Sequence, residues 1–155
     1  MRALIVGMGI GELYKSIYER KLWDVTTVDQ HKPADYWDIE EVPGEFDVAH
    51  ICTPNFTHGS IARTIASRCK IVFVEKPGLR TAEHWESLVH TFPNTRFAMV
   101  KNNQFRHNVA ELYITARKSD EIVLNWHNYN RVPNPGGWFT DKSRAWGGVS
   151  RDLLP

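Results

Sequence analysis

A chain of 155 residues with 42% hydrophobic and 24% charged side chains is long enough to bury a core in one domain, and this excludes a disordered chain. Nineteen Lys and Arg against eighteen Asp and Glu leave a formal charge of +1, with the basic residues scattered. Neither nucleic acid nor an anionic membrane meets a complementary patch, so a small-molecule ligand is favoured. No apolar run approaches the length of a bilayer span, and the first strand has no basic leader or small-residue cleavage site, so a cytoplasmic protein is expected.

Ala3-Leu4-Ile5-Val6 reads as a buried strand running into Gly7-Met8-Gly9-Ile10-Gly11, and a helical pattern with Leu13 and Ile17 on one face follows. Glycines let a backbone turn tightly and approach a pyrophosphate, and a helix start offers unpaired N–H groups and partial positive charge. The second strand, Val25-Thr26-Thr27-Val28, ends in Asp29, twenty-two residues after Gly7, where a carboxylate can accept from the ribose hydroxyls of an adenine dinucleotide. The dinucleotide fingerprint wants its third glycine at position 12, but Glu12 stands there and Gly11 precedes it. The close helix–strand contact must then be made differently, and an inward Glu12 would repel a pyrophosphate. The same spacing also resembles the glycine loop of class I methyltransferases, which bind S-adenosylmethionine; that alternative gives Lys76 no role.

Pro33 to Glu45 is acidic, with Tyr36, Trp37, Pro43 and Gly44, and reads as a loop with one short extended piece. Only seventeen residues separate Asp29 from Asp47, too few for helix, strand and second connection, so this half of the sheet is expected to be narrow. Asp47 to Cys52 reads as the next strand, Thr53-Pro54-Asn55 as a turn at the cleft, and Thr57 to Cys69 as a helix buried through Ile61, Ala62, Ile65 and Ala66. The strand Ile71 to Val74 then delivers Glu75-Lys76-Pro77 beyond its carboxyl end, where open α/β sheets collect function. A helix from Thr81 with Trp85, Leu88 and Val89 inward, a stop at Phe92-Pro93 and a strand Phe97 to Val100 complete an alternating α/β pattern, which predicts a Rossmann-like, doubly wound parallel sheet. His107 to Lys118 reads as a helix and Glu121 to Arg131 as a half-buried strand opening a second α/β domain. The division expected is a dinucleotide-binding domain over 1–105 and the start of a truncated second domain over 106–155. Cys52 and Cys69 have neither disulfide nor zinc spacing, the seven histidines are dispersed, and no metal is expected.

Taken together these segments resemble the Gfo/Idh/MocA oxidoreductases, which pair an amino-terminal Rossmann domain with a carboxy-terminal α/β domain on a large open sheet. The resemblance runs along the whole chain. Asp47 to His58 is similar to the family's strand, Thr-Pro turn and nearby histidine, and Val74-Glu75-Lys76-Pro77 to its lysine motif. Trp146-Gly147-Gly148-Val149-Ser150-Arg151-Asp152 resembles the glycine pair and aspartate that open the family's substrate-site helix.

The resemblance implies hydride transfer between a nicotinamide cofactor and a hydroxyl or carbonyl of a small, sugar-like or cyclic substrate. Gly7, Met8, Gly9, Ile10 and Gly11 would cradle the cofactor and Asp29 would contact its ribose. Thr53, Pro54, Asn55, Glu75 and Pro77 would lie on the nicotinamide side, and Lys76 and Asp152 would be catalytic. His58 is a further candidate cofactor contact, although a histidine at a helix start more often bonds backbone. Asp29 would repel the extra phosphate of NADP, so NAD is expected, with Gln30, His31 and Lys32 able to compensate for NADP. Phe139 follows Trp138 where many members carry arginine, which leaves the substrate open.

The family pattern expects a histidine four residues after Asp152, one position beyond Pro155. Since a positioned acid or base contributes about 10² to 10⁴ in rate, the expectation is a fragment that is itself inactive. The strand over 121–131, lacking sheet partners, would favour a homo-oligomer. The alternative reading is a non-catalytic dinucleotide-binding or regulatory protein of the same fold.

Overall fold

The computed structural model describes residues 1–100, 115, 117, 120, 121 and 136–146. Five strands, β1 (Arg2–Val6), β2 (Asp24–Val28), β3 (Phe46–Ile51), β4 (Cys69–Val74) and β5 (Arg96–Met99), alternate with three helices, α1 (Gly11–Arg20), α2 (His58–Ile65) and α3 (Ala82–Thr91). All neighbouring strands pair in parallel, in the order β2-β1-β3-β4-β5. This is a Rossmann-like, doubly wound sheet. Its strand order reverses at β1, which has β2 on one side and β3 on the other, so the crevice at the carboxyl ends of β1 and β3 is the switch point where such sheets bind ligands.

Parallel partners point to the same face, so the register sorts the core. Leu4, Ala49 and Val72 form one row and Val6, Ile51 and Val74 the next. These rows pack with Ala62 and Ile65 of α2 and Leu88 of α3 in one apolar cluster. The opposite face carries the row Ile5, His50 and Phe73, and α1 reaches it through Tyr14 and Tyr18.

The narrow half is as expected. Between β2 and β3 the chain forms one 3-10 turn, Ile39–Glu41, and a single parallel bridge from Tyr36 to Val28. Asp35 fixes this loop along the β2 edge by accepting from both Thr27 N and Thr27 Oγ1 at 2.8 Å. An otherwise open edge is thereby partly covered.

Three local expectations are corrected. Leu13 is 55% exposed, and the residues of α1 that meet the sheet are Gly11, Tyr14 and Tyr18, because Gly11 sits against Ile5 and fixes the rotation of the helix. Val89 is likewise exposed, since each residue turns a helix by about 100° and the face shared by Trp85 and Leu88 excludes the next position. Cys69 opens β4 instead of ending a helix, after a 3-10 turn at Ala66–Arg68 whose Arg68 guanidinium donates to Val42 O and Ile39 O.

The helix expected over 107–118 and the strand over 121–131 lie outside the described residues apart from isolated positions. Within 136–146 the chain makes a 3-10 turn, Trp138–Thr140, and a short helix, Lys142–Ala145, capped by Asp141, which accepts from Ser143 N at 2.9 Å.

Candidate nucleotide-binding site

The glycine turn is built by two close approaches. Gly7 has φ +93°, and a Cβ there would stand 2.8 Å from the Cys52 carbonyl carbon and 2.9 Å from its oxygen. Only glycine lets β1 hand over to the turn while the backbone after β3 passes this near. Gly7 N donates to Val28 O at 2.8 Å and Cys52 N to Val6 O at 2.7 Å, so the ends of β2, β1 and β3 are joined at one point.

Gly11 makes the second approach, since a Cβ there would lie 2.8 Å from Ile5 Cγ2. It supplies the close helix–strand contact that the usual third glycine makes one position later. Glu12 is exposed on α1, so the inward carboxylate considered from sequence is absent. Gly9 has open space around its Cβ position, and α1 begins without a side-chain cap among the described residues. Open space above an uncapped helix start suits a phosphate.

Asp29 closes this turn from β2. Its Oδ2 accepts from Met8 N at 2.6 Å, and its Oδ1 accepts from His31 N at 2.7 Å and Lys32 N at 2.9 Å. Partial burial alone would raise the carboxyl, but the three N–H donors outweigh it and hold Asp29 below the usual carboxylate range. Met8 is buried and its N–H is committed to Asp29, while Lys32 Nζ donates to Met8 O at 3.1 Å. Ile10 is exposed at the helix start.

The turn after β3 runs into a 3-10 segment, Asn55–Thr57, and then α2. Thr53 and Pro54 are half-buried at the crevice, and Thr57 Oγ1 bonds Thr53 Oγ1 and Pro54 O, both at 2.7 Å. Asn55 is 8% exposed and donates from Nδ2 to Ala145 O at 3.1 Å, and Arg144 lies over the Phe56 ring at 4.5 Å. The segment 136–146 is thus tied to this turn. His58 is fully buried, with Nδ1 2.8 Å from Gly78 O and Nε2 2.8 Å from Thr53 O. Burial lowers its pKa against the opposing pull of the two carbonyls and Glu75. One imidazole therefore spans the turns after β3 and β4.

Beyond β4, Glu75 N continues the ladder to Ile51 O and Gly78 N turns back to Glu75 O, each at 2.9 Å. Glu75 is 8% exposed, Lys76 is half-buried, and Pro77 is buried after a cis Lys76–Pro77 bond. Gly78 has φ +79°, and a Cβ there would meet Trp85 Cζ2 at 2.8 Å. The Glu75 carboxylate accepts from Tyr14 OH, a partner that sequence periodicity did not single out.

Gly7 to Gly11, Asp29, Thr53 to Asn55, and Glu75 to Pro77 thus all lie at the carboxyl end of one sheet. Asp152 and the glycine pair before it lie outside the described residues. Among the described residues, no three His, Cys, Asp or Glu side chains group to hold a metal ion, and no helix is long and apolar enough to cross a membrane.

Among solved structures, the fold is similar to the Thermus thermophilus WlbA (WbpB) dehydrogenase in complex with NAD and alpha-ketoglutarate. The TM-score is 0.70 at 12% identity over 99% of this chain and 59% of that one. It is also similar to an NAD binding oxidoreductase from Klebsiella pneumoniae, with a TM-score of 0.68 at 18% identity over 98% of this chain and 50% of that one. At these identities the likeness concerns the fold alone.

A curated relative from Amycolatopsis mediterranei (strain S699), named "Putative UDP-kanosamine synthase oxidoreductase subunit", is 28% identical over 113 residues, 70% of this chain and 32% of the relative. The chain therefore spans about a third of that relative's length. Residues 14–102 match the model of the Gfo/Idh/MocA family, described as an oxidoreductase family with an NAD-binding Rossmann fold. With more than half its length inside that match, and the match falling on the sheet that carries the Thr-Pro turn and the lysine motif, the chain belongs to the Gfo/Idh/MocA oxidoreductase family.

Proposed function

We propose that this chain is the cofactor-binding part of an NAD(P)-dependent oxidoreductase that moves hydride between nicotinamide and a hydroxyl or carbonyl carbon of a small, sugar-like or cyclic substrate. The observation that carries this reading is the meeting of the glycine turn, the Thr53 turn and the Glu75-Lys76-Pro77 segment at the strand-order reversal beside β1. The relative named for UDP-kanosamine synthesis supports a sugar-like substrate.

The residues present fit a dinucleotide. Open space at Gly9 and the uncapped start of α1 suit the pyrophosphate, with Gly7, Met8, Ile10 and Gly11 shaping the turn. A carboxylate has about four acceptor positions, and three on Asp29 are filled by backbone, which leaves one for a ribose hydroxyl. An ionised Asp29 opposes a second phosphate there, so NAD is preferred to NADP. Thr53, Pro54, Asn55, His58, Glu75 and Pro77 frame the nicotinamide side. When bound, the cofactor supplies the hydride donor or acceptor.

Lys76 is the catalytic cation. Its ammonium stabilises negative charge on the substrate oxygen, and Asp152, in a second domain proposed over 106–155 after a Rossmann domain over 1–105, assists the hydroxyl proton. The assembled protein is a homo-oligomer. The test is Lys76→Ala in the protein that carries this chain, following NADH absorbance with a panel of polyols and nucleotide sugars. The expected loss in kcat/KM is about 10² to 10⁴ with NADH affinity within about twofold; turnover equal to the unaltered protein would remove Lys76 from the mechanism.

A further inference from the structure

Glu75 places a carboxylate where the chain can least afford an unpaired one, at 8% exposure beyond β4. A buried charge persists only with hydrogen-bonding partners. Here Tyr14 OH donates to Glu75 Oε1 across 61 residues of chain, from the helix that begins at the glycine turn.

The phenol is aimed by its surroundings. The Tyr14 ring stacks on His50 with centroids 4.3 Å apart, and His50 stacks in turn on Phe73 at 4.8 Å. His50 and Phe73 are neighbours in register on β3 and β4, so the stack stands on the two strands whose ends carry Thr53 and Glu75. Tyr18 OH holds the far side of His50 at 2.9 Å from Nε2. Burial first, and then the Glu75 carboxylate, raise the Tyr14 phenol far above its ordinary value, which keeps the hydroxyl proton available to donate.

From this geometry we infer that Tyr14 is a positioning residue: it fixes the Glu75 carboxylate beside Lys76 so that Glu75 can accept from the nicotinamide half of the cofactor. The inference rests on the cofactor reading proposed above. It makes α1 serve both halves of the dinucleotide, with its start facing the pyrophosphate and its first inward aromatic side chain orienting the group at the nicotinamide end. Tyr14 itself touches no substrate. Its loss should therefore be felt at the nicotinamide and not at the adenine end.

The experiment is calorimetric titration of this chain with NADH and, separately, with ADP, which lacks the whole nicotinamide riboside. Tyr14→Phe keeps the aromatic stack and removes only the donor. The inference predicts roughly tenfold weaker NADH binding, the scale of one charge-assisted hydrogen bond, with ADP binding unchanged within about twofold. Glu75→Gln should lose a similar factor for NADH, and the double variant little more, because the two act as one unit.

Equal losses for NADH and ADP in Tyr14→Phe would mean that the tyrosine merely supports the fold, and unchanged NADH affinity would mean that Glu75 needs no positioning; either overturns the inference. An unaltered chain that binds NADH and ADP equally also overturns it, since the nicotinamide half would then go uncontacted. An unaltered chain that binds neither overturns the cofactor reading underneath, which separates the two failures.

Discussion

Gly7 and Gly9 sit two residues apart in the same turn, and the structure gives them opposite roles. At Gly7, alanine must adopt φ +93° and place its Cβ 2.8 Å from the Cys52 carbonyl carbon and 2.9 Å from its oxygen. The left-handed conformation costs an L-residue about 1–2 kcal/mol, and overpacking against backbone adds about 1–3 kcal/mol. Gly7→Ala should therefore destabilise the chain by roughly 3 kcal/mol, a fall in Tm of roughly 6–12 °C at this chain size. At Gly9 a Cβ meets nothing within 4 Å among the described residues, so Gly9→Ala should change stability by under about 1 kcal/mol. The open space at Gly9 is also what a pyrophosphate needs, so Gly9→Ala should weaken NADH binding by at least about tenfold. Differential scanning calorimetry and NADH titration of both variants read the two effects separately. A Gly7→Ala chain with an unchanged Tm would refute the packing argument, and a Gly9→Ala chain with unchanged NADH affinity would refute the role of the cradle.

Two further outcomes follow from buried titratable groups. Burial of His50 between Tyr14 and Phe73 depresses its pKa from 6.5 to about 4, and its Nδ1 has no partner among the described residues. The unfolded chain then takes up the proton first. His50 should contribute stability that is complete above about pH 6.5 and falls away as pH drops toward 4, by at most about 3 kcal/mol. Urea denaturation across pH 4–7 should show this slope flattened in His50→Phe, with a remainder from His58, also depressed by burial; an unchanged slope would place the effect elsewhere. Burial, and then Glu75, push the Cys52 thiol up, and burial pushes Cys69 up to about 12. Both should resist a thiol reagent at neutral pH in the folded chain and react on unfolding. Fast labelling in the native state would contradict the burial of Cys69 and the raised thiol of the half-buried Cys52.

The strands were legible because buried parallel strands leave continuous apolar runs, and Ala3 to Val6 and Ile71 to Val74 are such runs bounded by turn residues. The narrow half was legible from chain length alone. Leu13 and Val89 misled because periodicity gives a helix its apolar stripe but not its rotation, which Gly11 and Trp85 set here by close contact. The same limit hid Tyr14: its meeting with Glu75 depends on α1 crossing the face of β3 and β4, information held by strand order and not by any local spacing. Asn55 reads as part of a turn motif, and its bond to Ala145 lies ninety residues along the chain, beyond any pattern a window can see. The departure at Glu12 was visible, but that Gly11 restores the contact required the helix start one residue earlier.

The central claim is that the crevice between β1 and β3 holds a nicotinamide dinucleotide. Its most direct test is calorimetric titration of this folded chain with NADH, with NADPH and S-adenosylmethionine as comparisons. The account predicts saturable one-to-one binding of NADH, weaker binding of NADPH because of Asp29, and none of S-adenosylmethionine. A folded chain that ignores both nicotinamide cofactors, or that prefers S-adenosylmethionine, would contradict it.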